Sequence, residues 1–170
     1  MYGYQQETPT PKESPADINK DWLKRTVYVI LTDLPRPGGT GGSIAAFTTK
    51  SDVERYMADP VSPGVGIDEA ADIKLLHGLI LDPQKLPMDI DSKLMKGKSI
   101  WLFVGNDYNS VLVEECGDID EAILAIELAI DSEEVEIEDI CVLLGEEIEL
   151  VLAPARTGDS PTAYQVYGSV

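Results

Sequence analysis

The chain has 170 residues, 44% of them apolar, with 13 Lys and Arg against 31 Asp and Glu for a formal net charge of -18. That apolar share suffices for one good core or two small ones and excludes an intrinsically disordered chain. The charge is uneven: residues 1–81 carry 8 basic against 11 acidic side chains, residues 82–170 carry 5 against 20, and 16 carboxylates lie between Lys98 and Arg156 with no basic residue among them. Such a half repels nucleic acid and anionic lipid, so neither direct nucleic-acid binding nor membrane binding is expected.

In chain order, MYGYQQETPTPKESP at the start has neither a charged n-region nor an apolar h-region, and no apolar run reaches the roughly 18 residues that span a bilayer. A cytoplasmic protein is the expectation. TVYVIL (26–31) is a β-branched run, followed by the glycine-rich LPRPGGTGG and a second short run, SIAAF (43–47), which together read as a hairpin. Ser51 and Glu54 form a capping-box pattern at a helix start, and Pro60, Pro63 and Gly64 cut that helix short. KLLHGLIL (74–81) reads as a strand. The second half runs the same way. SIWLFV (99–104) and SVLVE (110–114) read as strands, and Asp118 and Glu121 cap DIDEAILAIELAI, whose Ile119, Ile123, Ile126 and Ile130 fall on one stripe. ICVLLG follows as a strand, and EEIELVLA extends it or folds back after Gly145.

Sliding the chain on itself by 67 residues aligns the two halves, with 8 identities over the 39 positions from Ser43 to Leu81; background frequencies would give roughly two or three. Gly78 falls on Gly145 and Asp72 on Asp139. The expected fold is therefore α+β, two tandem strand-strand-helix-strand units packed as one pseudo-twofold domain, with the first strand of each unit between the other two. The expected organisation is a flexible N-terminal arm (1–22), a first unit (23–83), a linker (84–98), a second, acidic unit (99–153) and a flexible tail (154–170).

Candidate sites are few. PGGTGG lacks the lysine of a phosphate loop and runs into a strand rather than a helix, so it reads as a hairpin turn. Lys96-Gly97-Lys98-Ser99 lacks the first Walker glycine and also precedes a strand. His77, the single histidine, aligns with Leu144 and reads as a packed strand residue. The acidic stretches DIDSKLMKGKSI and DSEEVEIEDICV lack the glycine and glutamate of an EF-hand loop. Cys116 and Cys141 read as reduced, buried thiols. No catalytic residue, cofactor or metal site is expected, and the chain reads as a non-enzyme.

That leaves the carboxylates, which read either as a solvated face or as an imitation of a phosphate track. The partner-binding set would be Asp118, Asp120, Glu121, Glu127, Asp131, Glu133, Glu134, Glu136 and Glu138, with a second acidic face from Glu136, Glu138, Glu146, Glu147 and Glu149. The partner would be a protein, a nucleic-acid-binding enzyme being the one such a surface suits.

At Tyr28-Val29-Ile30 and from Gly42 through Phe47-Thr48 to Val53-Glu54, the chain resembles the small strand-strand-helix-strand proteins of bacteriophage genomes. Val53 stands where that pattern usually has alanine, and Glu114-Glu115-Cys116 replaces Phe-Thr-Thr in the second copy, so the likeness is to the first half. The resemblance implies a phage or mobile-element accessory protein, working in the cytoplasm of a bacterial host, that binds and inhibits a host or defence protein. The alternative is a structural protein of a virion or its assembly whose terminal arms, with Tyr2, Tyr4, Tyr164 and Tyr167, bind neighbouring subunits.

Overall fold

The computed structural model describes residues 12–32, 43–58, 74–91, 93–105, 111–133, 135–152 and 164–166. The β-branched and aromatic runs become strands: β1 (Thr26–Thr32), β2 (Ser43–Phe47), β3 (Lys74–Leu81), β4 (Ser99–Gly105), β5 (Val111–Cys116) and β6 (Ile140–Ile148). They form one six-stranded sheet in the order β2-β1-β3-β6-β4-β5, with every neighbouring pair antiparallel. Within each half, the first strand lies between the other two, and helices α2 (Lys50–Ala58) and α4 (Ile119–Glu133) make the crossovers. The chain is thus α+β.

The register fixes which side chains share a face, because they alternate along a strand. Leu75 lies opposite Ile148 and Leu81 opposite Val142, so one face collects Leu75, Leu81, Val142 and Ile148. Both crossover helices pack there. Val53 of α2 joins Tyr28, Ile30, Ala45, Phe47, Leu75 and Ile148, with Tyr56 against the Phe47 ring at 5.0 Å between centroids. Ala122, Ala125 and Ile126 of α4 join Ile100, Leu102, Val104, Ile140, Val142 and Leu144. The opposite face gathers Val27, Val29, Leu31, Leu76, Ile80, Trp101, Phe103, Cys141 and Leu143.

Helix α1 (Pro15–Asp21) packs on that opposite face through Ile18, which is fully buried, and Trp22. Part of the stretch expected as a flexible arm is therefore structured. Pro at the first helical position has no N–H to leave unsatisfied, and Ile18 supplies the apolar contact that a composition rich in Pro, Ser and Thr hides. Lys12 makes a lone antiparallel bridge to Ala46 on β2. The expected tail also contributes a strand, β8 (Tyr164–Val166), which pairs with β7 (Leu150–Leu152). The expected linker buries Leu86 of the short helix α3 (Leu86–Asp89) and Ile90 in the core beside α4.

One sequence reading needs correction. Ser51 does not cap α2: it lies inside the helix, and the Thr49 hydroxyl accepts from the Asp52 N–H at 3.1 Å. In α4 the expected Asp118 does cap, accepting from the Glu121 N–H at 2.8 Å. The cap residues Thr49 and Asp118 are thus 69 positions apart, where Gly78 and Gly145 are 67 apart, so the spacing between halves shifts along the chain. Of the two courses open to EEIELVLA, β6 takes the extension, running straight through Gly145 to Ile148.

At the seam between the halves, Gly78 lies directly opposite Gly145. A Cβ on Gly78 would stand 2.2 Å from the Leu144 carbonyl oxygen, and one on Gly145 would stand 2.3 Å from that of His77. No side chain fits, since the obstacle is backbone on both sides. Gly78→Ala and Gly145→Ala are each expected to lower the unfolding free energy in a urea titration by roughly 3 kcal/mol or more. Gly97→Ala, in open space at φ 75°, is expected to cost only about 1 to 2 kcal/mol.

Candidate protein-binding surface

Helix α4 is built from strong helix formers and opens with a well-made N-terminus. Beyond the Asp118 cap, the Glu121 carboxylate accepts from the Gly117 N–H at 3.1 Å, and both Asp120 and Glu121 sit in the first turn, where the helix dipole favours them. Asp118 and Glu121 therefore hold the helix start as well as carrying charge. Further along, Glu127 and Asp131 are exposed. The last turn has no basic residue, so Asp131 adds negative charge toward the end that the dipole already makes negative. Among the described residues no ion pair offsets that placement.

The remaining members of the expected set spread out. Glu133 ends α4, and Glu134 lies outside the described residues. Glu136 caps the 3-10 turn Ile137–Asp139 through a reciprocal box with Asp139, whose carboxylate accepts from the Glu136 N–H at 3.1 Å, while Glu138 is exposed. A single second acidic face does not form. Glu146 and Glu147 are consecutive on β6 and point to opposite sides of the sheet: Glu146 lies opposite His77, whereas Glu147 lies opposite Leu76, 3.9 Å from the Lys74 ammonium.

What the sequence reading missed is the apolar content of the outer side of α4. Leu124 is 56% exposed and Leu128 57%. At roughly 100° per residue, they stand at the centre of the solvent arc, with Asp120, Glu127 and Asp131 along one flank and Glu121 along the other. The signal was present: DIDEAILAIELAI is too apolar for a helix with one buried stripe, and Leu124 and Leu128 share an i, i+4 spacing off the isoleucine stripe. Among the described residues, the ion pairs are Lys12 with Asp21, Lys24 with Asp89, Arg55 with Asp52 and Lys74 with Glu147, so none neutralises α4.

The other candidates resolve into structural roles. The glycine-rich loop lies outside the described residues, but Thr32 pairs with Ser43 on either side of it, so it closes a hairpin and no helix follows. Gly97 sits in the turn before β4, not at a helix start. Cys116 and Cys141 are free and buried in cores on opposite faces of the sheet. Burial pushes the Cys116 thiol up to about 11, with Glu114, Glu121, Asp118 and Glu115 adding to it, and burial alone raises Cys141 well above the ordinary thiol range. His77 is half-buried on β3, its ring 4.4 Å from that of Tyr28. Burial lowers its pKa, with Glu146 acting against that and Lys98 with it. The Tyr28 hydroxyl is buried with no hydrogen-bond partner among the described residues. Among those residues no group of three or more His, Cys, Asp or Glu is placed to hold a metal ion, and no helix is long and apolar enough to cross a membrane.

No family model matches this chain, and no match was found among curated proteins or solved structures.

Two measurements check this description. Neither cysteine is expected to react with a disulfide reagent at pH 8 in the native protein, and both are expected to react in denaturant. For His77, the unfolded chain takes a proton near 6.5 that the folded chain refuses until lower pH. Its contribution to stability is therefore full above about 6.5 and falls as the pH drops below it. His77→Leu should flatten that part of the stability profile between pH 7 and 5, read as the difference between the two proteins' urea midpoints.

Proposed function

We propose that the chain is a non-enzymatic accessory protein, of a phage or mobile element, that binds and inhibits a bacterial host or defence protein through the acidic outer side of α4. The observation that carries this reading is the carboxylate set Asp120, Glu127 and Asp131, which makes no ion pair among the described residues and which, at Asp131, sits against the helix dipole. A merely solvated surface needs charge, but it does not need every charge in one helix to have one sign. The partner is a protein with a basic surface, a nucleic-acid-binding enzyme being the class whose groove a carboxylate array suits. The cytoplasm of the host is the compartment this reading entails.

The duplication belongs to the same proposal. Its support is the strand order, which places equivalent strands at equal distances from the seam, and the glycine pair that meets there. The alternative, a virion or assembly protein acting through free arms, is less favoured because residues 15–21 pack onto the chain's own sheet.

The test is capture from bacterial lysate, nuclease-treated, with wild type and with the triple variant Asp120→Asn, Glu127→Gln, Asp131→Asn. Wild type is expected to retain a basic protein at low salt and lose much of it at high salt. The variant is expected to lose that protein while unfolding at the same or a slightly higher temperature. Retention of the same partner by the variant would refute the proposal.

A further inference from the structure

The acidic surface of α4 is not a plain carboxylate array, because its centre is apolar. Leu124 and Leu128 are more than half exposed, one turn apart, and the carboxylates run along both flanks of the ridge they make. A phosphate track presents charge along its length and has no apolar crest, so mimicry alone leaves these two leucines unexplained. They also carry a cost: large apolar side chains on a helix surface gain nothing from the fold and invite association.

Resting on the reading that α4 is the partner-binding surface, we infer that this ridge is a docking site for a basic amphipathic helical segment of a protein, whose apolar side chains seat on Leu124 and Leu128. Charge complementarity selects the occupant. A partner that covers the ridge brings its own flanks over Asp120, Glu127 and Asp131 on one side and Glu121 on the other, so those flanks carry Lys or Arg. A second copy is disfavoured, because ridge against ridge would set the same carboxylates against one another with no cation between them. The apolar crest supplies binding that persists in salt, and the flanks supply encounter rate and orientation. The three-to-one division of carboxylates across the ridge makes the site directional about its long axis, so the basic residues of the occupant lie mainly along one side.

The probes are two synthetic labelled peptides of equal charge: one helical, with leucines at i, i+4 flanked by lysines, and one oligolysine. Binding is followed by fluorescence anisotropy at low and high salt, against wild type, Leu124→Ser/Leu128→Ser and Asp120→Asn/Glu127→Gln/Asp131→Asn. Both leucine sites are exposed, so circular dichroism is expected to show the serine variant folded. Wild type is expected to prefer the leucine peptide by roughly tenfold, which is about 1.4 kcal/mol for partly burying two leucines. The serine variant is expected to lose that preference while still binding both peptides at low salt, and the acid variant to lose the oligolysine and keep only a weakened binding of the leucine peptide. Equal binding of the two peptides, or a preference that survives in the serine variant, would overturn the docking inference and leave the acidic-surface reading standing. Failure of both peptides to bind at low salt would overturn that reading and this inference with it. Concentration-dependent dimerisation abolished by Leu124→Ser/Leu128→Ser would replace the basic occupant by a second copy.

Discussion

The approach of β3 to β6 at Gly78 and Gly145 is the constraint on which the rest of the molecule depends. These two strands are the sole described link in the sheet between the halves, and they meet where neither backbone leaves room for a Cβ. Backbone-to-backbone closeness of this kind lets two three-stranded sheets, each too small to bury a core alone, become one six-stranded layer. It also sets the register that puts both crossover helices on the same face and leaves the other to α1. The position of α4, and so of its exposed side, follows from that register.

The electrostatics are arranged around the same layer. Among the described residues, Lys12, Lys24, Arg55 and Lys74, all in the first half or the segment before it, form ion pairs. Lys24 reaches Asp89 in the segment between the two units, and Lys74 reaches across the seam to Glu147. Among the described residues the carboxylates of α4 make no ion pair, and the second half is held by apolar burial under α4 together with the caps at Asp118 and Glu136. Self-repulsion of that sort is a cost to the compact state. It is tolerable because the carboxylates are solvated and spread along a helix instead of buried.

Strands, helices and their order were legible in the sequence because each follows from local pattern. TVYVIL, SIAAF, KLLHGLIL and SIWLFV are all strands within a residue of where β-branched runs place them. That Gly78 and Gly145 meet as a cross-strand pair was not legible, since aligning two positions in sequence does not bring them together in space. Caps were harder. Ser51 and Thr49 are both good capping residues two positions apart, and only the hydrogen bond to Asp52 decides between them. Helix α1 was missed because its packing rests on Pro15, Ile18 and Trp22 within a short segment rich in polar residues and proline. The exposed leucines of α4 were hidden for the opposite reason: in a helix apolar nearly all round, the buried stripe draws attention and the second stripe reads as part of it. Which of many carboxylates share a surface was not legible either, since a one-residue step along β6 sends Glu146 and Glu147 to opposite faces.

The two edges of the sheet are kept from pairing with other chains by different means. On β2 the chain's own Lys12 already occupies part of the ladder, at Ala46. On β5 the strand carries Glu114 and Glu115, one toward each face, and the Ser99 hydroxyl holds the Glu115 carboxylate at 2.7 Å. Covering and charging an edge are both known defences against edge-to-edge aggregation, but they fail under different conditions. The first lapses when the N-terminal segment is cut or peels away, and the second when Glu114 and Glu115 are replaced by uncharged residues. A proteolytic nick and a charge-removing substitution would thus expose opposite ends of the same sheet.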